Sequence, residues 1–147
     1  MATDWKANLL EDDARIHALL KGAKRVAVLG IKSDAESEKP GHAVPAYLQA
    51  HGYEIVPVPV KDSGPTVLGQ RTYARVADVP GQVDIVDVFR KPADIDAHVD
   101  DLLAKKPRAV WFQLGIRNDA AAETLARAGI DVVQDRCLMV ELRRIGR

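Results

Sequence analysis

The sequence predicts a doubly wound α/β fold, a parallel sheet of five to six strands with helices on both faces, and three observations carry that expectation. Short apolar runs recur along the 147 residues: Arg25-Val26-Ala27-Val28-Leu29, Glu54-Ile55-Val56-Pro57-Val58, Ile85-Val86-Asp87-Val88-Phe89, Ala109-Val110-Trp111-Phe112-Gln113 and Ile130-Asp131-Val132-Val133. They are near-continuous rather than alternating in polarity, the pattern of strands buried on both faces. Helical segments separate most of them, and strand, helix, strand is the unit from which parallel sheets are built. Right-handed crossovers between two mononucleotide-type halves then give the strand order 3-2-1-4-5-6 of a Rossmann-like fold. Its ligand crevice falls between the strand ending at Gly30 and the one ending at Phe89.

Trp5, Leu9, Ile16, Leu19 and Leu20 fall near helical spacing in a charged background, which predicts an amphipathic first helix stopped at Gly22. The strand closed by Gly30 comes next, and a helix is expected over 44–50, entered from a turn near Gly41 or His42. After the second strand, the stretch 61–80 is rich in Gly, Pro and polar residues and is expected to hold at most a short edge strand near Thr72-Tyr73. Helices over 93–105 and 119–128 flank the fourth strand. With 47% hydrophobic residues the chain can bury one core. No repeat or linker divides it, so one domain over 1–147 is expected.

The 21 basic and 21 acidic residues cancel to a formal net charge of +0, which leaves no global field favouring nucleic acid or an anionic membrane. A bound polyanion must be held by a local cluster. The one cysteine, Cys137, excludes an internal disulfide and suits a reducing compartment. Met1-Ala2-Thr3-Asp4-Trp5 has no basic region leading into an apolar one, and no stretch reaches the roughly 18 apolar residues of a membrane span. The expectation is a cytoplasmic protein whose partner is a small molecule, with neither nucleic acid nor membrane. A homodimer or an unidentified protein partner stays open.

Four loops at the carboxyl ends of the strands are expected to meet at the crevice. In the first, Gly30 permits close backbone approach, Ser33 offers a hydroxyl, and the helix beginning near Gly41 presents free N–H groups, a combination that suits phosphate. An ordinary loop with solvated lysines fits as well. The second opens with Lys61, where a nicotinamide enzyme using NAD usually carries an acid, and Gly30 is followed by no glycine until Gly41, so a G-x-G-x-x-G fingerprint is absent. The third, Phe89-Arg90-Lys91-Pro92, sets two cations at a strand tip, although Phe89 also reads as core. In the fourth, Gln113 carries an amide that donates and accepts, Gly115 allows close approach, and Asn118 or Asp119 can cap the next helix.

The series V-A-V-L-G-I-K-S, K-P-G-H, Y-L-Q-A-H-G-Y-E-I-V-P-V, V-D-I-V-D-V-F-R-K-P, V-W-F-Q-L-G-I-R-N and D-R-C-L-M-V-E, spanning roughly residues 10–145, resembles the small stand-alone CoA-binding proteins of bacteria and archaea. That family is similar to the nucleotide-binding domain of the succinyl-CoA synthetase alpha subunit. The resemblance implies a Rossmann-like fold that holds coenzyme A, or an acyl-CoA, across the switch point. It implies that Gly30, Ile31 and Ser33 line the phosphate side and that Lys39, Pro40 and His42 form the rim of the first loop. By the same token Lys61 sits near the adenosine end, Phe89, Arg90 and Lys91 flank ribose and phosphates, and Gln113, Gly115, Ile116 and Asn118 form the outer wall. One departure is that Lys39-Pro40-Gly41 stands where family members often have Arg-Pro-Ser, which removes a hydroxyl donor.

The synthetase needs a phosphorylated histidine from a further domain and an ATP-grasp partner, and this chain is too short for either. His17, His42, His51 and His98 show no metal or triad spacing. The expectation is therefore a non-catalytic carrier, sensor or regulatory module rather than an enzyme. The competing reading is an NADP-dependent oxidoreductase with Lys61 on the 2′-phosphate. Cys137 reads either as a small residue packed at a helix start or as a thiol close to that of the coenzyme, able to form a reversible mixed disulfide.

Overall fold

A computed structural model describes residues 4–146, so segment 1–3 of the N-terminus read above, and Arg147, lie outside the described residues. The chain opens with a 3-10 turn at Trp5–Asn8 and continues through α1 (Asp13–Gly22), β1 (Arg25–Leu29), α2 (Pro40–Ala50) and β2 (Glu54–Val58). A hairpin of β3 (Thr66–Val67) and β4 (Gln70–Arg71) follows, then β5 (Ile85–Val88), a 3-10 stretch at Pro92–His98 leading into α3 (Val99–Lys105), β6 (Ala109–Phe112), α4 (Asp119–Arg127), β7 (Asp131–Val133) and α5 (Leu138–Arg144).

The main sheet runs β2-β1-β5-β6-β7, with every pair parallel. This is the doubly wound order expected from the sequence without its outermost strand. The place of that strand is taken by the β3–β4 hairpin, a separate two-stranded sheet, so the edge strand expected near Thr72-Tyr73 reduces to one backbone hydrogen bond from Tyr73 to the carbonyl of Pro57 on β2 (3.0 Å). Successive side chains on each strand face opposite ways. Val26, Val28, Ile85 and Trp111 pack beneath α1, α2 and α5, while Ala27, Val86, Val110 and Phe112 pack against α3 and α4.

The first helix is shorter than its spacing suggests. Asp12 caps α1 by accepting from the amide of Arg15 (3.0 Å), and the residues before it form a strap along the edge strand β7, where the amide of Leu10 donates to the carbonyl of Val132 (2.8 Å). Trp5 lies against Arg127 of α4, and Asn8 Nδ2 donates to the carbonyl of Ala126 (2.8 Å). Leu9 and Leu10 therefore cover a sheet edge that would otherwise expose unpaired backbone groups, while Trp5 packs on α4. Ile16, Leu19 and Leu20 alone make the buried face of α1.

Helix α2 starts at Pro40, its first position, close to the start near Gly41 or His42 that the loop suggests and four residues before the 44–50 segment. Pro45 lies inside it and has no N–H to give to the carbonyl four residues back, that of Gly41. The amide of Lys32 donates to that carbonyl instead (3.1 Å), and the loop after β1 is thereby fastened to the first turn of α2.

Candidate functional site

At the carboxyl ends of β1, β2, β5 and β6 three cavities adjoin one another. The first, about 380 Å³, lies between the starts of α2 and α5 and is lined mainly by apolar groups, among them Pro40, Val44, Phe89, Ile116, Cys137 and Met139, together with Gln113. Phe89 also borders the second, a narrow cleft of about 30 Å³ where three cations, Lys32, Lys61 and Arg90, and one carboxylate, Glu36, surround Gly30 and Ile31. Val60, Lys61 and Ser63 continue from there into a third of about 300 Å³, which Pro59, Thr72 and Tyr73 help to line. The result is a groove with an apolar end, a basic middle and a mixed end.

Gly30 has φ of 87°, and a Cβ there would lie 2.4 Å from the carbonyl oxygen of Phe89. Its close approach is thus to the neighbouring strand, bringing β1 and β5 together under the cleft, and Ile31 is buried in the core. Arg90 is held at the cleft by its own helical turn: Nε donates to His98 Nε2 (3.2 Å), and the guanidinium lies 3.7 Å from Asp94. Burial first, and then the guanidinium, hold the His98 imidazole below its usual pKa, which keeps the accepting neutral form. His98 and His17 are accordingly partnered rather than merely exposed, since His17 pairs with the buried Glu141 (3.1 Å). Asp13 joins these two in a carboxylate–imidazole group that Arg136 and Arg144 already answer.

The remaining sequence-predicted residues flank the groove without lining it. Ser33 Oγ and Lys39 Nζ both approach the Glu36 carboxylate, at 3.4 and 2.6 Å. His42 is buried at the first turn of α2, with Nε2 2.8 Å from Asp34 Oδ1, and that same oxygen accepts from the amide of Leu68 (3.0 Å) in the hairpin turn. The two hydrogen bonds, from His42 first, hold the Asp34 carboxyl below its ordinary pKa. Asn118 is a helix cap: Oδ1 accepts from Ala121, and Nδ2 donates to Pro92 and Asp96. Gly115, with φ of 83°, donates its amide to Asp135, and Lys91 is exposed at the head of the Pro92–His98 turn.

Several groove residues escaped the sequence reading. Lys32 stood in the quoted loop, but nothing there showed that Pro45, thirteen positions on, frees the carbonyl that anchors it. Val44 and Met139 look like ordinary core. Asp87 reads as one polar interruption in an apolar strand, yet it is fully buried and accepts a hydrogen bond from Gln113 Nε2 (2.7 Å). Gly41 also gains a reason, because a Cβ there would sit 2.9 Å from Lys32 Cγ. The missing serine thus makes room for the lysine stem.

Residues 24–143 match the family described as CoA binding domain, and the chain belongs to that family. It is 31% identical over 130 residues to the Bacillus subtilis (strain 168) protein YneT, covering 86% of this chain and 91% of that one. Among solved structures, the Thermus thermophilus protein cell-free ID.343 is 41% identical with a TM-score of 0.86, over 92% of this chain and 99% of that one. The likeness to the dinucleotide-forming acetyl-coenzyme A synthetase 1 of Ca. Korarchaeum cryptofilum is one of fold alone: TM-score 0.56 and 19% identity, over 72% of this chain and 25% of that chain. No helix among the described residues is long and apolar enough to cross a membrane.

Proposed function

We propose that this protein binds coenzyme A, or an acyl-CoA, along the groove and acts as a carrier, sensor or regulatory module rather than as a catalyst. The observation that carries the reading is the succession of three adjoining cavities whose chemistry matches that of the ligand in order. Lys32, Lys61 and Arg90, with the backbone around Gly30 and Ile31, suit its phosphates, and Ser33 stands beside them. The apolar end bounded by Pro40, Phe89, Gln113, Ile116 and Cys137 suits the pantetheine arm and its thiol or acyl group. The cavity beside Lys61 and Tyr73 suits the adenosine.

Calorimetric titration with coenzyme A, acetyl-CoA and NADP in parallel tests the proposal. Saturable binding of the two coenzyme A forms with NADP silent is the expected outcome, and binding of NADP alone overturns the coenzyme A reading in favour of a dinucleotide site with Lys61 on a 2′-phosphate. Arg90→Ala is expected to weaken coenzyme A by about 1.5–3 kcal/mol, the range of a hydrogen bond to a charged group. Unchanged affinity removes Arg90 from the phosphate site.

A further inference from the structure

Asp87 has no place in the reading above, and a fully buried carboxyl in the middle strand of a parallel sheet needs a reason. Alternation along β5 puts it on the face of Ile85, and its register partners are Val28 on β1 and Trp111 on β6. All three belong to the apolar cluster under α1, α2 and α5. Two positions beyond Trp111, Gln113 is on that same face, where the apolar cluster gives way to the wall of the apolar cavity. One oxygen of Asp87 accepts from Gln113 Nε2 at 2.7 Å, while the other, Oδ2, has no partner among the described residues.

A glutamine amide has one donating and one accepting end. With one N–H of Nε2 committed to Asp87, the amide is held with Oε1 turned away from the carboxyl, and Oε1 is the acceptor that Gln113 keeps free. An ionised carboxyl enforces this polarity, and a protonated one keeps it while its proton sits on Oδ2. Ionised, it can only accept, and protonated on Oδ2 it still accepts at Oδ1. Apart from Glu38 and Cys137 the rest of the lining is apolar, with Phe89, Leu114 and Ile116 among it.

We infer that Asp87 is a positioning residue which, through Gln113, fixes a hydrogen-bond acceptor on the wall of the apolar cavity, so that the site selects a ligand arm carrying an amide N–H donor at that depth. The inference rests on the coenzyme A reading, in which the pantetheine arm supplies such amides, and it adds the residue that sets the polarity of the wall. Because the donor is an amide rather than the thiol, coenzyme A and acetyl-CoA depend on it equally.

The test begins on the unliganded protein. The side-chain NH₂ resonances of Gln113 are expected to be slowly exchanging in ¹⁵N-labelled wild type and to lose that protection in Asp87→Asn, whose own amide is free to donate to Gln113 Oε1 and turn the glutamine around. Titration with coenzyme A and acetyl-CoA is then expected to show about a tenfold loss with either ligand in Asp87→Asn and in Gln113→Met, the loss of one net hydrogen bond. The double variant should be no weaker than Gln113→Met alone. Gln113→Met leaves Asp87 in place and carries the test by itself if Asp87→Asn does not fold. Wild-type affinity in Gln113→Met, or unprotected Gln113 protons in wild type, overturns the inference. A loss confined to coenzyme A and absent with acetyl-CoA overturns it too, by making the thiol the donor. Failure of wild type to bind either ligand refutes the coenzyme A reading instead, and the resonance measurement still decides whether Asp87 holds Gln113.

Discussion

Burial moves the titration of Asp87 and of His98 in opposite directions. Burial pushes the Asp87 carboxyl up from 3.8 to about 7, against the hydrogen bond from Gln113. The folded chain therefore binds more protons than the unfolded chain across that window, so stability is full below 3.8 and is lost as pH rises through about 7. Asp87→Asn does not titrate and should gain on the wild type by about 2–3 kcal/mol between pH 5 and pH 8, read by urea unfolding of both proteins at each pH. An unchanged difference would mean that Asp87 is ionised in the fold at both values. His98 runs the other way, since its lowered pKa costs stability as pH falls below the ordinary 6.5, and it cancels in this comparison because both proteins carry it. Asp87 thus trades stability at neutral pH for the orientation of one amide.

Helix α2 shows the same exchange in backbone terms. Proline in a helix interior is roughly 3 kcal/mol less favourable than alanine, offset in part by the unfolded-state freedom that proline removes and by the packing of its buried ring. Pro45→Ala should therefore stabilise the protein by about 1 kcal/mol while letting the new amide compete with Lys32 for the carbonyl of Gly41. Faster amide exchange at Lys32 and a severalfold weaker coenzyme A affinity are the expected readouts, and an unchanged Lys32 amide would show that the loop is held by other contacts. Long apolar strands and their helices were legible because burial on both faces leaves a continuous hydrophobic run that little else produces. The strap at Trp5–Asn8 was not, because Trp5 and Leu9 serve a different surface from Ile16 and Leu20, and linear spacing cannot separate two surfaces. The β3–β4 hairpin escaped for a related reason. Its turn, Leu68-Gly69, has φ of 53° and 74°, which suits a two-residue hairpin turn, but a leucine at the first of these positions gives no signal. It is held from outside, by Asp34 on its amide and Gln49 on its carbonyl (3.0 Å). In the groove, residues that announced themselves by charge at strand tips, Lys61 and Arg90, were readable, whereas Lys32, and Asp87 buried behind Gln113, owe their placement to partners distant in sequence.

The groove draws on both halves of the chain, with Lys32, Pro40 and Lys61 from the first and Phe89, Gln113 and Cys137 from the second, so ligand binding and global folding should be linked. Two apolar clusters share one sheet, β1 and β5 pair at its centre, and α2 and α5 meet across its face. Such an arrangement leaves no half with a complete core of its own, which is why we propose that the chain unfolds as one cooperative domain. Two indoles report from different places: Trp111 is fully buried on β6 and donates its N–H to the carbonyl of Arg136 (2.8 Å), next to the Cys137 end of the groove, while Trp5 lies on the strap over α4. In Trp5→Phe, the remaining Trp111 emission and far-ultraviolet circular dichroism should trace one coincident thermal transition. Coenzyme A at a hundredfold excess over its Kd adds about 2.7 kcal/mol by mass action, and at about 2–4 °C per kcal/mol for a chain of this size both signals should rise together by roughly 5–10 °C. If Trp111 instead melted ahead of the circular dichroism, and only that early phase moved with ligand, α5 and the apolar end of the groove would form a separate opening unit. The protein would then report coenzyme A by local ordering of that corner rather than by stabilising the whole fold.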